Sequence, residues 1–211
     1  MTTFTWAQRG RARVAPWLVH RWATTVVSLA LLAPAVDLLW AALADRLGAN
    51  PAEALIRQTG DMALRTVLLT LAVTPLREGL GLPGLARFRR VLGVGSFLWA
   101  VLHLLTYAWL DMGLDLSDML QDVVKRPFIL VGSLTLVLMT PLALTSFNAA
   151  IKRLGAARWK QLHRLAYAIG VLAIVHFFWM RSGKNVLGEV WVHAAVLALL
   201  LGWRLRKRWM A

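Results

Sequence analysis

Long runs of apolar residues recur along the sequence, and they restrict the fold more than any other feature. Residues 91–110 and 128–147 contain no charged side chain, and 22–43 contains only Asp37. A helix needs about 20 apolar residues to cross roughly 30 Å of hydrocarbon. With 59% hydrophobic and 16% charged residues in 211, the chain has more apolar surface than one soluble core buries. The sequence therefore predicts an integral membrane protein.

Six segments have the length or the composition of membrane spans. They are residues 22–43, 62–76, 91–110, 128–147, 165–180 and 190–203. Two of them, 62–76 and 190–203, are short and need neighbouring residues to cross the hydrocarbon. We predict an all-α polytopic membrane protein in which residues 22–205 form one bundle of six transmembrane helices. Residues 1–21 are expected to be a cytoplasmic N-terminal segment and 206–211 a basic cytoplasmic tail.

The distribution of charge orients these spans. The net charge is +14, but a nucleic-acid-binding surface needs its basic residues clustered on a soluble face. Here Lys and Arg gather in alternate connecting segments, 9–21, 77–90, 152–164 and 204–208. Because Lys and Arg accumulate on the cytoplasmic side of membrane proteins, both termini are predicted to lie inside. Termini on one side also require an even number of spans.

Most acidic residues fall in the opposite, outer segments. Asp111, Asp115, Asp118 and Asp122 recur at intervals of three or four, and this spacing predicts a short helix on the outer surface. The ordinary explanation of such charges is solvation, and a docking surface for a partner is the alternative.

Two patterns resemble motifs of other proteins. Residues 9–44 have the basic start and apolar stretch of a secretory signal, but the stretch is longer than a typical signal, so we predict a retained span. Gly79, Gly81 and Gly84 match G-x-G-x-x-G, but a dinucleotide site requires a strand before the motif and a helix after it. Since this segment lies between two spans, we predict a loop. The absence of Cys excludes disulfides and thiolate metal sites.

Two histidines are predicted to lie at the same depth in the outer half of the membrane. His103 follows Arg90, at the inner edge of its span, by thirteen residues, and His176 follows Arg164 by twelve, which is roughly 20 Å in each case. Two neutral imidazoles at one depth can bind a planar metal-bearing macrocycle from both faces, as in low-spin electron-transfer hemes. The alternative for each histidine is a structural role, with its ring bonded to a carbonyl.

A third histidine, His163, lies at the inner edge of the fifth span, about 20 Å below His176. On one straight helix these two rings point about 140° apart, so we expect a kink near Gly170 or cofactors that approach from different sides. Arg89 and Arg90 occupy the depth at which a symmetric two-heme protein would place a fourth histidine. His20 is an alternative ligand, although a boundary histidine is more often interfacial, and His193 is expected to be structural.

Several segments carry a family resemblance. They are HLLTY from His103, QLHRLAY around His163, IVHFFW around His176, TGDMALRTVLLTLAVTPL at 59–76 and FRRVLG at 88–93. In order and spacing they resemble MsrQ, the family of heme-binding membrane subunits of periplasmic methionine sulfoxide reductase systems. That family belongs to the ferric-reductase and NADPH-oxidase transmembrane superfamily. The resemblance covers roughly residues 20–205.

The resemblance implies a b-type cytochrome of the bacterial inner membrane with six helices. Such a protein passes electrons outward to a molybdopterin-containing catalytic subunit, MsrP, which repairs methionine sulfoxide in periplasmic proteins. Its implied cofactors are one or two b-type hemes and FMN, and its implied donor is the quinone pool or a cytosolic flavin reductase. No substrate site of its own is expected.

The resemblance also implies roles for individual residues. His103 and His176 match the ligands of the outer heme, and His163 matches the inner ligand of the oxidase relatives. A second heme or a flavin would occupy the inner site, supported by Arg89 and Arg90. The oxidase relatives carry a C-terminal nucleotide-binding domain, whereas this sequence ends eight residues after Trp203, so electrons are expected to come from another molecule.

Arg65 is a basic residue inside a predicted span. A guanidinium near hydrocarbon requires an anion, and a carboxylate of the outer heme is one candidate partner. The alternatives are a side chain that reaches the outer headgroups or pairs with Asp61, four residues earlier.

Two other functions remain open from the sequence. One is a transmembrane electron-transfer module with a different acceptor, either ferric-reductase-like or linked to quinol. The other is a membrane scaffold or permease without heme, in which the histidines bond helix to helix.

Overall fold

The computed structural model describes residues 17–183 and 187–210, and this part of the chain is helical and contains no strand. The basic residues Arg9, Arg11 and Arg13, which contribute to the predicted orientation, lie outside the described residues. The helices are α1 (Arg21–Leu43), α2 (Pro51–Leu80), α3 (Phe88–Leu110), α4 (Leu116–Lys125), α5 (Pro127–Leu144), α6 (Asn148–Leu154), α7 (Ala156–Leu162), α8 (Leu165–Ser182) and α9 (Gly188–Trp209). This arrangement confirms the predicted all-α class.

Five helical segments of the described chain are long and apolar enough to cross a membrane. They are Arg21–Leu43, Pro83–Leu110, Pro127–Leu144, Ala156–Ser182 and Gly188–Trp209. The remaining predicted span, 62–76, lies within α2. This helix has 30 residues, about 45 Å at 1.5 Å per residue, but Asp61 and Arg65 reduce its apolar character.

Helix α2 lies inside the bundle, in contact with α3, α8 and α9. Its Leu64, Val67, Leu68 and Leu71 form the main buried cluster, together with one residue each from α5, α8 and α9. Neighbouring helices therefore cover one face of α2, which explains why it needs less apolar surface than a helix that faces lipid all round.

A close approach at Gly170 brings α8 against this cluster. A Cβ at Gly170 would lie 3.1 Å from Leu197 Cδ1 and 3.2 Å from Leu71 Cδ1. Small residues allow membrane helices to pack closely in this way. Gly170 thus serves packing, and α8 continues through it as regular helix.

The predicted kink lies elsewhere. Helix α7 ends at Leu162, His163 and Arg164 form a turn, and α8 begins at Leu165. The expectation of a kink near Gly170 was therefore wrong, because the helix is interrupted at His163 and Arg164, about two turns earlier. Since His163 precedes α8, the angular difference calculated for one straight helix does not apply to His163 and His176.

One local prediction is confirmed in part. Gly79 lies in the last turn of α2, Gly81 ends that helix in the left-handed conformation at φ 64°, and Gly84 lies in a short 3-10 helix, Pro83–Arg87, so the glycine motif forms a turn between helices, with no strand before it. The helix predicted from the acidic residues is α4, which carries Asp118 and Asp122 and has no buried residue, whereas Asp111 lies at the end of α3. Asp115 caps this helix by accepting a hydrogen bond from the Asp118 N–H at 3.0 Å.

Candidate functional site

The bundle brings His103 of α3 and His176 of α8 into one cavity of about 300 Å³. Their ring centroids lie 6.2 Å apart, and the ring planes meet at 70°. The structure thus pairs the two histidines that depth had matched. Most other residues that line this cavity, which we call the outer cavity after the predicted depth of its two histidines, are apolar.

Each ring is oriented by a backbone carbonyl of a neighbouring helix. His103 Nδ1 donates to Ile56 O of α2 at 2.9 Å, and His176 Nδ1 donates to Phe128 O of α5 at 2.7 Å. Because a carbonyl only accepts, the proton of a neutral ring resides on Nδ1 and Nε2 keeps its lone pair. A hydrogen bond on the second ring nitrogen is also what orients histidines that bind metals.

A glycine lies against each ring. A Cβ at Gly60 would stand 3.1 Å from His103 Cε1, and a Cβ at Gly132 would stand 2.8 Å from His176 Cε1. Each glycine lies four positions after the residue whose carbonyl accepts the hydrogen bond, Ile56 for Gly60 and Phe128 for Gly132. The same helix surface therefore supplies the ring with a hydrogen-bond acceptor and with space.

The outer cavity also has charged lining residues. Its charged lining residues are Arg57, Asp61, Asp111, Arg126 and Arg181. Arg181 is buried, with 7% of its surface exposed, and it forms ion pairs with Asp61 at 3.4 Å and Glu189 at 3.3 Å. Arg181 was missed in the sequence because a basic residue just after an apolar run is an ordinary boundary residue.

Arg65 occupies a different position. Its side chain is exposed and does not line the outer cavity within the described chain. It lies close enough to Asp61 for their charges to interact. The structure therefore brings Arg65 near Asp61 and leaves it apart from His103 and His176.

A second cavity, of about 920 Å³, contains His163. Its basic lining residues are Arg87, Arg89, Arg90, Lys160, Arg164 and Arg204, and no acidic side chain of the described chain lines it. The structure thus brings Arg89 and Arg90 together with His163, as the sequence led us to expect. Such a lining attracts an anionic group.

The His163 ring is held so that one nitrogen is free. Its Nδ1 donates to Trp159 O at 3.0 Å, and the ring stacks on the Trp159 indole with centroids 3.9 Å apart. Its Nε2 is buried and makes no hydrogen bond with any described residue. A buried nitrogen without a partner is costly, and binding to a ligand would remove that cost.

The other two histidines lie apart from both cavities. His20 is exposed at the start of α1, where its Nδ1 accepts from the Trp22 N–H at 3.3 Å. His193 Nδ1 donates to Glu189 O at 2.6 Å, and its ring packs edge-on against Phe177. Among the described lining residues of the inner cavity, His163 is therefore the sole histidine.

The outer cavity fits a metal-bearing macrocycle. His103 and His176 would hold the metal of such a group through the Nε2 atoms that their Nδ1 hydrogen bonds leave free, and their ring centroids lie 6.2 Å apart. The apolar walls suit the macrocycle, and the arginines among the lining residues suit its carboxylates. The inner cavity fits an anionic ligand, with one histidine available.

Comparison with known proteins gives a consistent result. Residues 59–174 match the family described as "Ferric reductase like transmembrane component". Three similar relatives each carry the name "Protein-methionine-sulfoxide reductase heme-binding subunit MsrQ". The relative from Polaromonas naphthalenivorans (strain CJ2) is 56% identical over 193 residues, covering 92% of this chain and 88% of the relative.

The other two relatives are less identical and cover similar shares of both chains. The protein from Ralstonia nicotianae is 45% identical over 197 residues, 93% of this chain and 86% of the relative. The protein from Bordetella pertussis is 49% identical over 178 residues, 84% of this chain and 86% of the relative. No solved structure matches the chain. The chain belongs to the MsrQ family of protein-methionine-sulfoxide reductase membrane subunits, within the larger family of ferric-reductase-like transmembrane proteins.

Proposed function

We propose that the protein is the heme-carrying membrane subunit that supplies electrons to a periplasmic methionine sulfoxide reductase. Its partner is the molybdopterin catalytic subunit MsrP, which repairs oxidised periplasmic proteins. The observation that carries this proposal is the pair His103 and His176, whose rings are 6.2 Å apart and are both fixed through Nδ1. The names of the curated relatives support the heme.

The outer cavity is proposed to hold heme b, whose iron His103 and His176 would bind through Nε2. When bound, heme supplies an iron that exchanges one electron at a time. The protein's own contribution is orientation, because the carbonyls of Ile56 and Phe128 fix the rings before the ligand arrives. The apolar walls keep water away, so the site can exchange electrons without admitting solvent.

The inner cavity is proposed to hold the second cofactor. Its lining supports FMN more than a second bis-histidine heme, because the six basic residues suit a phosphate group and His163 has no second histidine opposite it. Arg89 and Arg90 are proposed to bind the anionic part of this cofactor. The free Nε2 of His163 is proposed to contact it from the side of the stacked Trp159.

We further propose that the chain crosses the bacterial inner membrane six times, with both termini in the cytoplasm. In this arrangement α2 is a span in addition to the five long apolar segments. The basic inner cavity then faces the cytoplasm, and the outer cavity faces the periplasm. Electrons would come from the quinone pool or from a cytosolic flavin reductase. The outward direction follows from this orientation.

The heme proposal is tested by the colour of the purified protein. We expect the protein, purified in detergent from heme-sufficient cells, to show the visible bands of a low-spin b-type cytochrome that sharpen on dithionite reduction. A colourless preparation would contradict the cytochrome proposal and favour a scaffold or permease. Flavin released on denaturation and identified by its fluorescence tests FMN separately.

Replacing His163 tests the inner site. We expect His163→Ala to leave the outer heme spectrum unchanged and to slow its reduction by quinol or reduced flavin by about tenfold or more, the usual effect of losing a cofactor-site residue. Stopped-flow absorbance in nanodiscs measures this rate.

His20→Ala is the matched control, since His20 lies on the same side and outside the cavity. It should reduce at the wild-type rate. Equal rates for His163→Ala and wild type would remove His163 from the electron path.

A further inference from the structure

Arg181 is the one charged residue that is buried in the described part of the chain. It lies near the end of α8, five residues after His176, and its guanidinium stacks over Phe177 at 5.2 Å from the ring centroid. A buried guanidinium is retained only where anions compensate it. The carboxylates around Arg181 therefore show whether the protein alone satisfies this guanidinium or leaves donors for a bound anion.

The anions supplied by the protein satisfy Arg181 only in part. Both ion pairs use the same nitrogen, Nη2, at 3.4 Å to Asp61 Oδ2 and 3.3 Å to Glu189 Oε2. Charge-assisted hydrogen bonds are usually about 2.7–2.9 Å long, and a guanidinium has five N–H donors in a planar fork. Its Nε and Nη1 make no hydrogen bond with any residue of the described chain.

The other two arginines of the outer cavity differ from Arg181 in this respect. Arg57 is 38% exposed and pairs with Glu53 at 3.2 Å. Arg126 is 50% exposed and pairs with Asp122 at 3.2 Å. Each of these arginines pairs with a carboxylate four residues earlier in the chain, and each has a partly exposed side chain. Arg181 is buried, lines the cavity and is tied to α2 and α9.

We propose that Arg181 binds a carboxylate of the cofactor in the outer cavity, using the donors that Asp61 and Glu189 leave free. The inference rests on the proposed function, because heme b carries two propionate carboxylates. Asp61 and Glu189 hold the guanidinium in place through Nη2, and they offset its charge when no cofactor is bound. Arg181 is thus a binding residue that anchors the macrocycle at the end remote from the inner cavity.

The test compares heme b with its dimethyl ester, in which both carboxylates are blocked. Apoprotein in detergent is titrated with each, and the two affinities are measured from the visible spectrum. We expect wild type to prefer the free acid by about tenfold or more, as one charged hydrogen bond would give. Arg181→Gln should bring this preference close to one, because the variant has lost the group that distinguishes acid from ester.

Control variants separate Arg181 from the neighbouring charges. Arg65→Gln should keep the wild-type preference, since Arg65 does not line the cavity, and Arg57→Gln should keep most of it. Arg181→Lys should restore a part, because it returns the charge without the planar fork. An Arg181→Gln protein that folds, binds both hemes and keeps the wild-type preference would overturn the inference.

A second variant covers the case in which Arg181→Gln does not fold. Asp61→Asn removes a competitor for the guanidinium, so the preference for the free acid should widen. An unchanged or narrower preference in Asp61→Asn overturns the inference as well. Failure of wild type to bind either heme would instead refute the proposed function, so the two failures are distinguishable.

Discussion

Heme is expected to be lost when either His103 or His176 is replaced by alanine. These rings are the pair that shares the outer cavity, and each keeps a free Nε2 for the metal. Loss of a residue that merely orients a metal ligand costs about 10–100-fold in affinity, so the loss of a ligand costs more. We expect the heme content of the purified variants to fall at least tenfold, measured as the pyridine hemochrome per protein.

His20→Ala and His193→Ala are the matched controls for this result. Both histidines lie outside the outer cavity, and their Nδ1 atoms form hydrogen bonds to nearby backbone groups. Their variants should retain the wild-type heme content. Full retention of heme in both His103→Ala and His176→Ala would contradict the assignment of the axial ligands.

Gly132→Ala is expected to disturb the heme site through a single methyl group. The new Cβ would stand 2.8 Å from His176 Cε1, a distance at which the ring has to move. His176 is also held by Phe128 O at 2.7 Å, so it has little freedom to move without losing that bond. We expect weaker heme binding and partial conversion from low to high spin, measured by visible and electron paramagnetic resonance spectra.

Gly95→Ala is the matched control, because its Cβ would approach Leu31 Cδ1 at the same 2.8 Å. There the neighbour is the end of a flexible side chain that can rotate away. Alanine raises helix propensity at both sites by about 0.8–1.0 kcal/mol, so a general loss of helix is not expected. A low-spin spectrum of wild-type intensity in Gly132→Ala would show that the close approach is unimportant.

The two glycines explain how helices α2 and α5 present a carbonyl sideways. In a helix the Cα–Cβ bond tilts toward the N-terminus, so a side chain at position i+4 covers the carbonyl of residue i. Gly60 leaves the carbonyl of Ile56 open, and Gly132 does the same for Phe128. The arrangement occurs on two different helices and serves both candidate ligands.

The relative position of residues along the helices could be predicted from the sequence, because each helical residue adds a fixed rise. This is why His103 and His176 were paired correctly and why His163 was assigned to the opposite end. Rotation about the helix axis could not be predicted, since it depends on how neighbouring helices pack. For that reason the sequence left Arg65 with alternative partners, a heme carboxylate, Asp61 or the outer headgroups, and did not single out Arg181, which lines that cavity.

Local backbone geometry was also beyond prediction. Gly170 was expected to be the site of a kink, but it lies at a close contact between helices, and the helix is instead interrupted at His163. Gly60 and Gly132 carried no distinctive signal, because glycines are frequent in membrane helices for packing reasons. Their importance became visible only once the facing imidazoles were in place.

The composition of α2 affects how the protein is inserted into the membrane during synthesis. In the six-span arrangement that we propose, a helix containing Asp61 and Arg65 has to leave the translocon for lipid, although one arginine at a helix centre costs about 2.5–3.5 kcal/mol there. The residues that later cover α2 belong partly to α8 and α9, which are synthesised last. Of the helices that cover α2, α3 is synthesised first, and the two are in contact. We therefore expect α2 and α3 to enter the bilayer together as a helical hairpin. In that case α2 becomes stable in the membrane only after α3 has been synthesised.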